Sequence, residues 1–281
     1  MSKRSIKQSR ELFKQIVASK DEQINLAKAA LLIATDEYPR LNVDFYLEKL
    51  DRFGDIARER ADRARGAHDY TAALGATLFD ELGFRGNREK YFDPRNSFLN
   101  EVIDLRTGIP ITLTVVYIEV ARRIGVAVEG VGLPGHFICR LKTESESLLI
   151  DPFNEGRIIG EATCRELVSE TSGGRIEFHP AHLAPVTTKQ ILTRMLSNLL
   201  GIYAGASDYS RAIAVIERIL VLNPDSPPHI RDYGLLLAAT GETEKSMSLL
   251  KRYLSVVPNA PDEAAVREQI KQIFKNRAKL N

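Results

Sequence analysis

His136, in GLPGHFICRL, and Asp151, in SLLIDPF, are the side chains whose types and spacing could do chemistry together. An aspartate that accepts from one imidazole nitrogen fixes the tautomer and leaves the other nitrogen to handle a proton. Nucleophiles for such a pair are few. Cys139 and Cys164 are the chain's two cysteines, and Thr112 offers a hydroxyl in RTGIPITL. Cys139 lies three positions after His136, an odd offset that in a strand points it to the opposite face. Cys164 falls in the helical pattern ATCRELV, and a threonine hydroxyl such as that of Thr112 needs a close, oriented base. The catalytic candidates are therefore His136, Asp151 and Thr112. Of the five histidines only His179 and His182 are close, and Pro180 between them opposes a helix that would present both on one face. Two cysteines form neither a disulfide framework nor a metal-ligand pattern, so no metal and no cofactor is expected.

Placing the pair falls to the elements around it. The run from Ile111 to Ile124 is apolar nearly all round and reads as a buried central helix ending at Arg122, Arg123 and Gly125. Pro110 suits its first position, since a fixed φ fits the helix and the missing N–H would have been unpaired anyway. Three strands follow. His136 comes directly after a Pro-Gly turn, at the start of HFICRL, and Asp151 ends the apolar strand LLID. Upstream, FRGNREKYFDPRNSF reads as a structured loop in which Asn96 holds backbone groups and Ser97 caps a turn with Phe98 and Leu99.

The wording and order of RNSFLNEV, RTGIPITL, GLPGHF and IDPF closely resemble the bacterial SirB-type (regulator-of-SirC-like) family, which joins a transglutaminase-like domain to tetratricopeptide repeats. The resemblance implies a papain-like core in which a cysteine opens the central helix and the strands bring His136 and then Asp151 to it. Laying Gly108 and Gly125 on that pattern puts Pro110 at the cysteine position, where no thiol stands. It also implies a cleft lined by Asn96, Pro110, Thr112, His136 and Asp151.

Three helices precede the core. Ser19 and Glu22 form a capping box for one through Ile24, Leu31 and Ile33; Asn42 caps a second with Phe45, Leu47 and Leu50 inward; Asp69 caps a third that stops at Gly83. Beyond the core come a helix around Leu167, a short strand IEF, and HPAHLAPVTTKQ as a linker. The rest repeats. Pro224 and Pro258 stand 34 residues apart, the tetratricopeptide period, and Leu199, Tyr203 and Ala212 fall opposite Tyr233, Leu237 and Ser246. Small residues at 212 and 246 permit close helix contact, and PDEAAVREQIKQIFKNR can cap the array.

The expected architecture is α+β: residues 1–178 as N-terminal helices and a transglutaminase-like domain, 179–190 as linker, and 191–281 as an all-α repeat module. With 39 basic and 37 acidic residues the net charge is +2, which disfavours a nucleic-acid partner or a membrane surface. The basic start MSKRSIKQSRELFKQI has no signal-like apolar run after it and reads as the solvated tail of a cytoplasmic protein. Without the cysteine, the favoured function is non-enzymatic: interaction or regulation through a protein or peptide partner. The alternative is a hydrolase or acyltransferase using His136 and Asp151 with a non-standard nucleophile or an activated water.

Overall fold

The computed structural model describes residues 6–280, with side chains described through residue 275. Two compact units divide the chain, Met1–Met195 and Leu196–Asn281.

The first unit is built around one buried helix. The N-terminal helices are α1 (Ile6–Val17), α2 (Leu26–Ala34), α3 (Val43–Ala61) and α4 (Ala67–Gly75), the last running on as a π-helical turn over Ala76–Glu81. Strand β1 (Arg85–Gly86) leads through a loop and a 3₁₀ turn at Pro94–Ser97 to α5 (Leu99–Leu105), β2 (Thr107–Gly108) and the central α6 (Pro110–Arg123). Eleven of the α6 residues are buried. Each fully buried branched aliphatic side chain contributes about 1.5–3 kcal/mol relative to exposure, so Ile111, Leu113, Val115, Val116 and Val120 make α6 a large source of apolar stabilisation. It ends in a Schellman motif: Gly125, at φ +78°, donates to Arg122 and Val126 donates to the Ala121 carbonyl.

The sheet follows, all antiparallel, with strands β3 (Ala127–Val131), β4 (Ile138–Lys142), β5 (Ser147–Asp151), β6 (Arg157–Ile159) and β7 (Pro185–Val186) in the order β6-β5-β4-β3-β7. Helix α7 (Glu161–Ser172) covers one face, where Val131, Leu133, Ile138, Ile159, Cys164, Val168 and Phe178 form a buried cluster. Alternation along β4 turns Cys139 to the opposite face, against α6.

The helices bind α6 through charge as well as contact. Glu119 is 2% exposed; its carboxylate accepts from Arg123 at 2.6 Å, Arg122 at 3.0 Å and the Ala27 N–H of α2 at 3.2 Å. Arg123, 10% exposed, also reaches Asp51 on α3 at 2.8 Å. Gly54 lets α3 approach: a Cβ there would stand 2.6 Å from the Arg123 Cβ.

Several local expectations change. Residues 6–17 of the basic start form a helix with Ser9, Phe13 and Val17 buried, while the tail residues Met1–Ser5 lie outside the described residues. Asn25, not the Ser19–Glu22 pair, caps α2, its side chain accepting from the Lys28 N–H. Asn42 does cap α3, but Phe45 is 41% exposed and the inward stripe is Val43, Leu50, Phe53, Ala57 and Ala61. Helix α4 starts two residues before Asp69; Glu146, from the β4–β5 turn, accepts the Ala67 N–H at 3.0 Å. The segment IEF forms no strand, because Phe178 is drawn into the α7 cluster and Ile176 is left exposed. The presumed linker supplies the edge strand β7, paired with β3 at Gly130 and Val131.

The second unit contains α9 (Tyr209–Leu222), α10 (Pro227–Ala239), α11 (Thr243–Val256) and α12 (Glu263–Leu280), preceded by the end of α8 (Thr188–Gly205). A cluster of Ile230, Leu250, Tyr253, Ala260, Val266 and Ile273 joins α10, α11 and α12. Ala212 and Ser246 are fully buried, and the Ser246 hydroxyl donates to the Gly234 carbonyl at 2.7 Å. Pro224 and Pro258 follow the ends of α9 and α11, Tyr203 is buried on α8, and Tyr233 donates to Glu217 at 2.8 Å.

Replacing Glu119 by Ala strips the buried Arg123 of its nearest counter-charge and leaves the Ala27 N–H without its acceptor. The expected loss is about 3 kcal/mol, with a smaller loss for Glu119→Gln, measured by urea unfolding; equal stability of Glu119→Ala and the parent chain would contradict it.

Candidate functional site

His136 is aimed by a four-residue turn. In Leu133–His136 the His136 N–H donates to the Leu133 carbonyl at 3.1 Å, Pro134 supplies the fixed φ, and Gly135 takes φ +75°, a type II arrangement. Thr171 on α7 donates to the Pro134 carbonyl at 3.0 Å, and a Cβ on Gly135 would fall 2.3 Å from its oxygen. Nothing larger than glycine fits.

The imidazole Nε2 meets Asp151 Oδ2 at 3.0 Å, with His136 6% and Asp151 0% exposed. Asp151 does more than hold the histidine. Its Oδ1 accepts the backbone N–H groups of Phe153 (3.1 Å) and Asn154 (3.3 Å), and Oδ2 also accepts Asn154 Nδ2 at 2.6 Å. Burial opposes its ionisation most strongly, yet the imidazole of His136 and the donors of Asn154 outweigh that and hold the carboxyl below its usual range. His136 Nδ1 has no hydrogen-bond partner among the described residues.

Phe153 forms one wall. Its ring meets His136 edge-on at 5.9 Å and Tyr91 at 6.2 Å, and it lies so close to Gly86 that a Cβ there would come within 2.6 Å. Arg88 stacks over the ring at 5.0 Å and donates to Asn154 Oδ1. Asn96 fastens the loop that carries these residues: its Oδ1 accepts from Asn87 at 3.0 Å, and its Nδ2 donates to the Lys90 (2.7 Å) and Tyr91 (3.2 Å) carbonyls.

The nucleophile candidates are placed as follows. Thr112 is fully buried; its hydroxyl donates to the carbonyls of Asn96 (2.7 Å) and Ile109 (3.2 Å) and accepts the Ile109 N–H (3.1 Å). Pro110 is the buried first residue of α6. Cys139 and Cys164 are buried free thiols. Burial, then the charge of Asp151, pushes Cys139 well above the normal thiol range, and the same two causes with Glu161 push Cys164 up to about 11. Ser97 does not cap α5; its hydroxyl is buried without a partner among the described residues, and Phe98 takes the N-cap position. In HPAH, His179 and His182 turn Nδ1 atoms onto the Ala181 and His179 N–H groups. Among the described residues no group of three or more His, Cys, Asp or Glu could hold a metal ion, and no helix is long and apolar enough to cross a membrane.

Sequence reasoning missed Arg88, Tyr91, Phe153 and Asn154. A signal for the last two was present: Asp-Pro with Asn three positions on is the chemistry of an Asx turn.

The match of residues 44–197 to the transglutaminase-like superfamily agrees with this helix, sheet and pair, and the chain belongs to that superfamily. Residues 199–271 match the tetratricopeptide repeat. A UPF0162 protein of Xylella fastidiosa is 36% identical over 269 residues, 95% of this chain and 96% of the relative. A UPF0162 protein of Vibrio cholerae is 28% identical over 216 residues, 76% of this chain and 78% of the relative. F-box only protein 21 of Mus musculus is 33% identical over 138 residues, 46% of this chain but 21% of the relative.

Because the folded-state pKa of Asp151 is depressed, its stabilisation is complete above the ordinary carboxyl value near pH 4 and is lost as pH falls through the folded value. The stability advantage of the parent chain over Asp151→Asn should therefore be full at neutral pH and shrink below about pH 4. Urea titrations across this range measure it, and a pH-independent difference would remove Asp151 as the charged hub of the turn.

Proposed function

We propose that this is a non-enzymatic interaction or regulatory protein: a transglutaminase-like domain without a nucleophile, joined to a repeat module that engages a protein or peptide partner. The observation that carries this reading is the start of α6. Pro110 occupies the position that the family resemblance gives to cysteine, and the nearest hydroxyl in sequence, Thr112, spends its donor and acceptor capacity on backbone groups. Both thiols of the chain are buried and held protonated at neutral pH, so neither supplies a thiolate. Bacterial relatives and the motifs RNSFLNEV and GLPGHF support the finer reading of a cytoplasmic, SirB-type regulator.

One observation favours a rival. His136 Nδ1 is unpartnered among the described residues, and an Asp-supported imidazole with such a nitrogen can activate a water, so a hydrolase without a protein nucleophile remains the second reading.

Thiol-directed and serine-directed probes should give no labelling of the native chain that depends on His136, whereas Pro110→Cys should create a reactive thiol whose labelling falls at least about tenfold in Pro110→Cys/His136→Ala. Labelling of the parent chain that disappears in His136→Ala would overturn the silent reading. For the repeat module, substitutions on its helices that keep the far-ultraviolet spectrum should abolish co-purification of the partner; unchanged co-purification would count against the module as the binding element.

A further inference from the structure

The last two helices leave a groove that the repeat array does not fill. Helix α12 buries Val266 and Ile273 against α10 and α11. A second stripe, Arg267, Ile270 and Lys271, faces a groove of about 450 Å³ whose other wall is Lys251, Leu254 and Ser255 of α11. Leu254 and Ile270 are half-buried, resting on the central cluster and opening into the groove. Phe274, one turn beyond Ile270 on the same stripe, is 65% exposed. Apolar side chains left on the outer face of a stacked helix mark a site for one more element.

The charge on the rim selects the occupant. The lining contains three cations and no carboxylate. Arg267 is held by Glu263 at 2.7 Å and Lys271 lies 3.5 Å from Glu268, both along α12 itself, while Lys251 has no acidic partner among the described residues. A second copy of this chain docking groove to groove would set these cations against their own kind, which disfavours self-association. The exposed pairs on α12 contribute little and can be re-formed with a partner's carboxylates.

We propose that the α11–α12 groove receives an amphipathic helix from a different protein, with apolar residues at i, i+3, i+4 and i+7 and acidic residues beside them. This rests on the interaction reading above and adds the chemistry of the partner. The helix would lie where a further helix of the array would pack: its apolar stripe covers Leu254, Ile270 and Phe274, and its carboxylates meet Lys251, Arg267 and Lys271.

The probe is a pair of labelled synthetic peptides of about 18 residues, with identical leucine stripes and with either Glu or Lys at the flanking positions, titrated against the full chain by fluorescence anisotropy. The acidic peptide should bind and the basic one should not. Lys251→Glu/Lys271→Glu, both at exposed positions, should weaken the acidic peptide about tenfold or more, as should raising salt from about 0.05 to 0.5 M. Ile270→Glu should abolish binding with the fold intact by circular dichroism. Equal binding of both peptides, or acidic-peptide binding unaffected by Lys251→Glu/Lys271→Glu, would overturn the proposal. If no peptide binds while a partner still co-purifies with both the parent chain and the double variant, the groove is wrong and the interaction reading stands; if nothing co-purifies either, both fall.

Discussion

The first unit depends on how the start of α6 is fixed. A helix buried on every side presents free N–H groups at its first turn with no water to satisfy them. Here Pro110 removes one such donor, and the Thr112 hydroxyl ties the turn to Ile109 and to the Asn96 carbonyl. Gly108 makes room, since a Cβ there would press to 2.8 Å from the Thr112 oxygen. Because Asn96 also fastens the 87–91 backbone, one hydroxyl couples the buried helix to the loop that walls the His136 site. The position of that site follows from how the helix start is tied to the loop.

That arrangement has a chemical consequence. With Pro110 lacking an N–H and the Ile109 N–H taken by the Thr112 hydroxyl, two of the four leading donor positions of α6 are unavailable to a thiolate or an oxyanion. With proline first and threonine committed, the local chemistry favours rigidity over reactivity. Cys139 and Cys164 sit on opposite faces of the sheet, each in an apolar setting made worse for a thiolate by the Asp151 charge. Several features independent of one another therefore point the same way for the silent reading proposed above.

The sequence made much of this legible, for identifiable reasons. The apolar run after Gly108 could only be a buried helix, the PGH turn needs a glycine at its third position, and the 34-residue spacing of Pro224 and Pro258 defines the repeat. What stayed hidden was set by distant partners. Glu146 caps α4 from 79 residues away, which no local rule around Asp69 reveals. The strand β7 lies in a proline-bearing stretch that pairs only because the β3 edge is open to it. At the site, Arg88 and Tyr91 look like ordinary loop residues until the parallel pairing of β1 with β2, and the contact of Gly86 with Phe153, bring them over the ring.

A His–Asp pair beside a helix that opens with Pro110 and not with cysteine has a structural account. Asp151 accepts four hydrogen bonds, from His136, from Asn154 Nδ2 and from the N–H groups of Phe153 and Asn154. Its own carbonyl accepts the Gly156 N–H at 2.9 Å, where the chain turns from β5 toward β6. Removing the carboxylate would strip three donors of the turn of their acceptor, the buried Phe153 N–H at a cost of about 1–3 kcal/mol and the half-buried Asn154 groups at less, besides freeing the imidazole. The turn in turn sets Phe153 against Gly86 and Tyr91, and so the height of the loop above the helix. The carboxylate that orients the imidazole is thus also the hub of the surrounding backbone. The pair is therefore under the constraint of folding whether or not a nucleophile stands beside it.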